Sequence, residues 1–262
     1  MTTRIACFGG IYSNYLGLAA ALRDARRRGV DAIYCLGDLG AFGPHPDRVF
    51  PLLADHGVEC LQGNYDDSVG NGLDDCQCGY TDPRDNHFAR ISYEYTLNNT
   101  SNENRRRLRT LPKQIRMELG PLRVCLCHGS PRKVNEFLWE STTPTHFLDH
   151  LLDDVSADVV LATHTGIRWQ RELKSGRRFV NVGVLGRPEN DGRTNVWYTL
   201  IEHSPAAGLT VEFVPIEYDF GRLAREMKAE GLPPEFQQTI ESGWWTTCLE
   251  ILPSKERRRG KY

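Results

Sequence analysis

What this 262-residue sequence lacks already narrows its class. No apolar run approaches the roughly 20 residues that a bilayer-spanning helix needs, so no membrane partner is expected. No sign of charge dominates: the formal net charge is −2, and a chain so nearly balanced sets up no long-range field toward nucleic acid. The opening stretch MTTRIACFGG has no signal-peptide shape and runs straight into a strand-like segment. A cytoplasmic location is therefore expected, with mostly reduced thiols among the eight cysteines. Cys7, Cys35, Cys125 and Cys127 lie in or beside strand-like runs and read as small core residues. Internal repeats and low-complexity tracts are also missing, which excludes a repeat array.

The length suits one large domain, or one domain with embellishments, able to bury a substantial core. Strand-like and helix-like segments alternate from residue 4 to residue 62, and such βαβ repetition implies parallel strands with right-handed crossovers. Residues 88–97 and 102–111 read as helices, the second capped by Ser101 or Thr100. Residues 115–119 and 123–127 read as a hairpin turning at Gly120-Pro121, and 195–202 and 208–215 as an antiparallel pair. The expected fold class is α/β (α+β): two mixed β-sheets face to face, flanked by helices. Residues 1–217 would form this domain and 218–262 a helical carboxyl-terminal extension packed on it. Between 67 and 86 the chain turns polar and rich in Gly, Asp and Cys, so an irregular loop over the site is expected there.

Five short loops carry the chemistry: FGGIYSN at 8–14, LGDLGAFGPHP at 36–46, QGNYDD at 62–67, CHGSP at 127–131 and ATHTG at 162–166. Each follows an apolar run, which puts it at the carboxyl end of a strand, where open α/β sheets place ligands. Asp38, Asn64, His128 and His164 would converge there as oxygen and nitrogen donors for at least one ion. One carboxylate, one amide oxygen and two imidazoles suit Mn, Fe or Zn and suit Ca poorly. A lone histidine is more often a hydrogen-bonded core residue, but two of them in CHGSP and THTG favour ligation.

The order and wording of these loops resemble the calcineurin-like metallophosphoesterases, in particular the small bacterial and archaeal phosphodiesterase branch. The motifs are Gly37-Asp38, Gly63-Asn64-Tyr65-Asp66, His128-Gly129 and Thr163-His164-Thr165-Gly166, and the resemblance covers about residues 3–215. It implies a four-layer αββα sandwich and a hydrolase that attacks a small phosphate mono- or diester with a metal-activated water. It also implies that Tyr65 faces the substrate oxygens while Asp66 orients its neighbours. The departures are specific. Where the family's first metal takes an Asp and two His, this chain has Gly10, Tyr12 and Gly166; the donors for the second metal are all kept.

Three substitutes for the missing donors come into consideration. Tyr12 or Tyr65 would ligate as a phenolate. The 67–86 segment would deliver Cys76, Cys78, Asp85 or His87. Alternatively, Arg132, Arg187 or Arg193 would take over phosphate binding. Cys76 and Cys78 could also act as a redox pair, and their plain alternative is two loop cysteines packed against the site. The extension carries Trp244 and Trp245, expected to dock on the domain, and a basic end at 255–261, expected to be solvated. A small phosphate-containing molecule is the expected partner, and homo-oligomerisation is left open. The competing functional class is a non-catalytic metal-binding or protein-interaction module on the same fold.

Overall fold

The computed structural model describes residues 2–258. The amino-terminal half runs β1 (Thr3–Phe8), α1 (Tyr15–Arg27), β2 (Ala32–Cys35), α2 (Val49–Asp55), β3 (Glu59–Cys60), α3 (Asn64–Asn71), α4 (Pro83–Asn99) and α5 (Asn102–Arg109). The chain continues through β4 (Gln114–Leu119), β5 (Leu122–Cys127), α6 (Thr145–Asp154), β6 (Val159–Ala162), β7 (Trp169–Glu172) and β8 (Arg178–Asn181). It ends with β9 (Val196–Ser204), β10 (Gly208–Ile216), α7 (Phe220–Ala229), α8 (Pro234–Ser242) and α9 (Ser254–Arg257).

The strands form two five-stranded mixed sheets, ordered β10-β9-β1-β2-β3 and β4-β5-β6-β8-β7. Alternation along each strand stacks them. In β1, Ile5 and Cys7 point into a core shared with Val124 and Leu126 of β5 and Val159 and Leu161 of β6. Their neighbours Ala6 and Phe8 point the other way, onto Leu18 and Leu22 of α1. The second sheet repeats the rule: Cys125, Val160 and Phe179 turn outward onto Leu148 and Leu151 of α6. A period-two pattern that buries both faces yields the layers helix, sheet, sheet, helix. Cys7, Cys35, Cys125 and Cys127 are all buried.

Topology then positions the loops. β1, β2 and β3 are parallel, as are β5, β6 and β8. The sheets meet at their carboxyl ends through a parallel bridge between Gly9 and Val184. Gly10 N–H donates to Gly37 O at 2.9 Å and Leu185 N–H to Gly9 O at 3.1 Å, so the loops after β1, β2 and β8 are laced together.

Two expectations need correction. The 67–86 segment is not one irregular loop: α3 runs to Asn71 and α4 begins at Pro83, with the Asp82 side chain accepting from Arg84 N–H at 2.8 Å. Proline at the first helical position and aspartate before it are a helix start, which the polar composition hid. Helix α6 was not anticipated at all, although Leu148, Leu151 and Leu152 form its buried face. In the extension, Leu223 and Met227 of α7 and Phe236 of α8 join the core of α1 and Phe42. Of the basic end, residues 259–261 lie outside the described residues. No helix among the described residues is long and apolar enough to cross a membrane.

Leu151 is fully buried between α6 and the second sheet. Leu151→Ala should lower the unfolding free energy by about 2–5 kcal/mol in urea titrations; a loss of a few tenths would place α6 outside the core.

Candidate metal centre

Two of the donor-bearing loops are tied together by one carboxylate. Asp66, at the third position of α3, accepts from Asp38 N–H at 2.7 Å and Gly63 N–H at 2.8 Å through Oδ2. Its Oδ1 accepts from Leu39 N–H at 3.0 Å. Asp38 stands at φ 58° and His164 at φ 64°, a left-handed region that L residues occupy only when their surroundings hold them there. The Asp66 clamp supplies that hold for Asp38. Gly63 is required at the same junction, because a Cβ there would overlap the Asp38 carboxylate and its backbone nitrogen.

Each donor is then aimed. Asp38 Oδ1 accepts from Tyr65 N–H at 3.0 Å, and its Oδ2 lies 3.2 Å from His128 Nε2. His128 Nδ1 lies 2.6 Å from Leu36 O; a carbonyl only accepts, so Nδ1 carries the proton and Nε2 presents a lone pair. Nε2 is 3.2 Å from His164 Nδ1. Asp38, His128 and His164 each bring a ligand atom within 4.8 Å of the others. Asn64 Nδ2 donates to Cys76 O at 2.8 Å, which leaves Oδ1 as the free acceptor. Asn64 Oδ1 and His164 Nε2 are buried without a hydrogen-bond partner.

The charges are poised to match. Burial, and then the neighbouring His128, push the His164 pKa down to about 3, so it is a neutral ligand. Burial opposes the charged form of His128, but the Asp38 carboxylate prevails and raises its pKa. Burial, and then Asp38, lift Asp66 to about 6 against the three N–H donors. Buried polar atoms left without a partner are costly in a dry site. Asp38, His128 and His164 bring one carboxylate and two imidazoles together, a donor set that fits a transition-metal cation.

The residues expected to replace the first-site donors are placed otherwise. The Tyr12 ring lies where a Cβ on Gly10 or Gly186 would have to sit, edge-on to Phe42 at 5.4 Å between centroids. Burial, and then the Asp38 charge, raise the pKa of its hydroxyl where no cation is bound. Tyr65 does not face a substrate space: its hydroxyl donates to Ser92 Oγ at 2.9 Å, inside the contact with α4. Cys76 and Cys78 are joined as a disulfide, not reduced. They still touch the site, since Asn64 Nδ2 lies 3.6 Å from Cys78 Sγ. His87 is exposed, with its ring against Phe88, and is no ligand here. Asp85 is buried but accepts from Ile251 N–H at 3.0 Å, tying α4 to the extension. Arg132 is exposed and paired with Glu136, and Arg193 is exposed near Glu217. Among these three arginines, only Arg187 reaches the buried neighbourhood, stacked on Trp245.

Trp245 is the contributor that sequence reasoning did not place. A Cβ on Gly166 would lie 3.2 Å from its ring. Its indole N–H donates to Pro188 O at 2.6 Å, and its backbone N–H to Asn190 Oδ1 at 2.9 Å. The tryptophan was visible, but nothing local in the sequence says which glycine it covers.

Residues 4–203 match the model of the calcineurin-like phosphoesterase superfamily domain. The chain belongs to this superfamily. An uncharacterized protein of Methanocaldococcus jannaschii is 26% identical over 245 residues, spanning 87% of this chain and 93% of that protein. A metallophosphoesterase from Sphaerobacter thermophilus superposes with a TM-score of 0.70 at 24% identity, covering 92% of this chain and 99% of that one. A hypothetical protein from Pyrococcus horikoshii gives 0.77 at 21% identity, covering 93% and 100%. At these identities the two structures speak for the fold alone. Membership of the superfamily supports metal binding and a phosphoesterase-type hydrolase.

Asp66→Ala would strand three backbone donors in a buried loop. It should cost at least about 3 kcal/mol in denaturant unfolding, and Asp66→Asn, which keeps one acceptor oxygen, should cost less. Equal stability of all three proteins would show that the clamp does not hold the loops.

Proposed function

We propose that this protein is a metal-dependent hydrolase of a small phosphate mono- or diester, built on a single family-type ion held by Asp38, Asn64, His128 and His164. The observation that supports this most is the aiming of the donors: the contact with Leu36 O turns His128 Nε2 toward Asp38 and His164, and the hydrogen bond to Cys76 O leaves Asn64 Oδ1 without a partner. When bound, Mn, Fe or Zn supplies Lewis acidity, drawing charge from a phosphoryl oxygen and acidifying a water. The chain's own residues do the rest. Asp66 keeps the Asp38 loop in its strained conformation. The Leu36 carbonyl fixes the His128 tautomer. Trp245, and Phe137 with its ring 4.4 Å from that of His164, exclude bulk water.

One ion stabilises attacking and leaving oxygens less well than two, so slow turnover is part of the reading. Residues 1–217 would be the hydrolytic domain and the chain beyond them its cover, in a cytoplasmic protein. One observation favours a non-catalytic metal-binding module instead: Asp38, Asn64, His128 and His164 are each at most 8% exposed, so substrate entry requires the cover to move.

Metal analysis of the purified protein, together with hydrolysis of p-nitrophenyl phosphate and its bis ester, separates these readings. His128→Ala should reduce bound metal several-fold and abolish hydrolysis, because catalytic cations have only three or four protein ligands. Equal metal in wild type and variant would refute the assignment. Bound metal without hydrolysis of either ester would favour the module.

A further inference from the structure

Arg187, on the loop after β8, is only 6% exposed, and its Nε has no hydrogen-bond partner. No carboxylate among the described residues forms an ion pair with it. What surrounds it is aromatic: the guanidinium carbon lies 3.5 Å from the Trp245 ring centroid, 5.1 Å from Phe42 and 5.9 Å from Tyr12. Arg168 shows the ordinary solution to the same problem: it also lies over a tryptophan, Trp197, but its charge is met by Glu189. Rings attract a cation through their faces, yet they leave in-plane N–H donors unused, and a guanidinium has five.

Such a charge, desolvated and unneutralised, is costly in the folded chain unless an anion completes it. The position suits an anion of this centre. Arg187 Nη2 lies 3.7 Å from where a Cβ of Gly166 would be, two residues beyond His164. Tyr12 touches both: its ring centroid lies 5.9 Å from the Arg187 guanidinium carbon, and its backbone N–H donates to Asp38 O at 3.2 Å. At the positions where the resemblance implies first-site donors, this chain has the Tyr12 and Trp245 rings packed over two glycines, with the Arg187 charge between the rings.

We infer that Arg187 is the oxyanion-binding residue of the centre: its guanidinium receives the phosphoryl oxygens of the substrate, and of the phosphate released from it. The inference rests on the phosphoester reading for the nature of the anion, while the anion site itself stands on the unpaired guanidinium. The opposing view is that Arg187 is a strut that holds Trp245, Phe42 and Tyr12 together.

Titration calorimetry with inorganic phosphate tests it, on metal-loaded and metal-free protein, for wild type and Arg187→Met. The oxyanion role predicts unchanged metal stoichiometry, an unchanged or higher melting temperature, and phosphate binding weakened at least about tenfold, since charge-assisted hydrogen bonds are lost. The strut predicts a lower melting temperature with phosphate affinity intact, and that result overturns the proposal. If Arg187→Met does not fold, Arg187→Gln is measured in its place, and unchanged phosphate affinity again overturns it. Wild type that binds phosphate in neither state also overturns it. If wild type holds no metal, the hydrolase reading falls, yet phosphate bound by the metal-free protein and lost in Arg187→Met still upholds the anion site.

Discussion

The centre depends on one buried carboxylate that is not among its metal donors. Asp66 gathers three backbone N–H groups from two loops and so ties the Asp38 loop to the start of α3. The arrangement is costly in itself, because a desolvated carboxylate sits close to a second one and its acidity falls accordingly. The fold offsets that cost with backbone dipoles. It is also the reason Gly63 precedes Asn64: the two loops approach so closely at Asp38 that no side chain fits between them.

Legibility in the sequence followed the range of the interactions. The strands of both sheets could be read because each alternates or runs apolar over a few residues, and the convergence of Asp38, His128 and His164 because each follows such a strand. Asp66 could be read as an orienting residue from its place beside Asn64. What could not be read depends on partners far away in the chain. Tyr65 was expected to face a substrate, but Ser92 of α4 takes its hydroxyl. The polar stretch after it concealed one helix and the capped start of another. Trp245 offers no local cue that it will lie on Gly166, some eighty residues earlier in the chain.

The positions where the resemblance implies first-site donors are filled in the structure. Glycines at 10 and 166 do not leave a hollow. Tyr12 fills the space above one and Trp245 covers the other, while Arg187 brings a fixed positive charge between the rings. A side-chain cation differs from a metal ion in being permanent: it cannot be chelated, exchanged or oxidised. If the proposed ion and anion sites hold, part of the charge at this centre is written into the chain and part depends on the ion bound.

The covering tryptophan also sets an order of events during synthesis. Asp38, Asn64, His128 and His164 all leave the ribosome well before Trp245 does. Domains begin to fold as they emerge, so under the metal-binding proposal an ion would meet open donors in the nascent chain and covered ones in the finished protein.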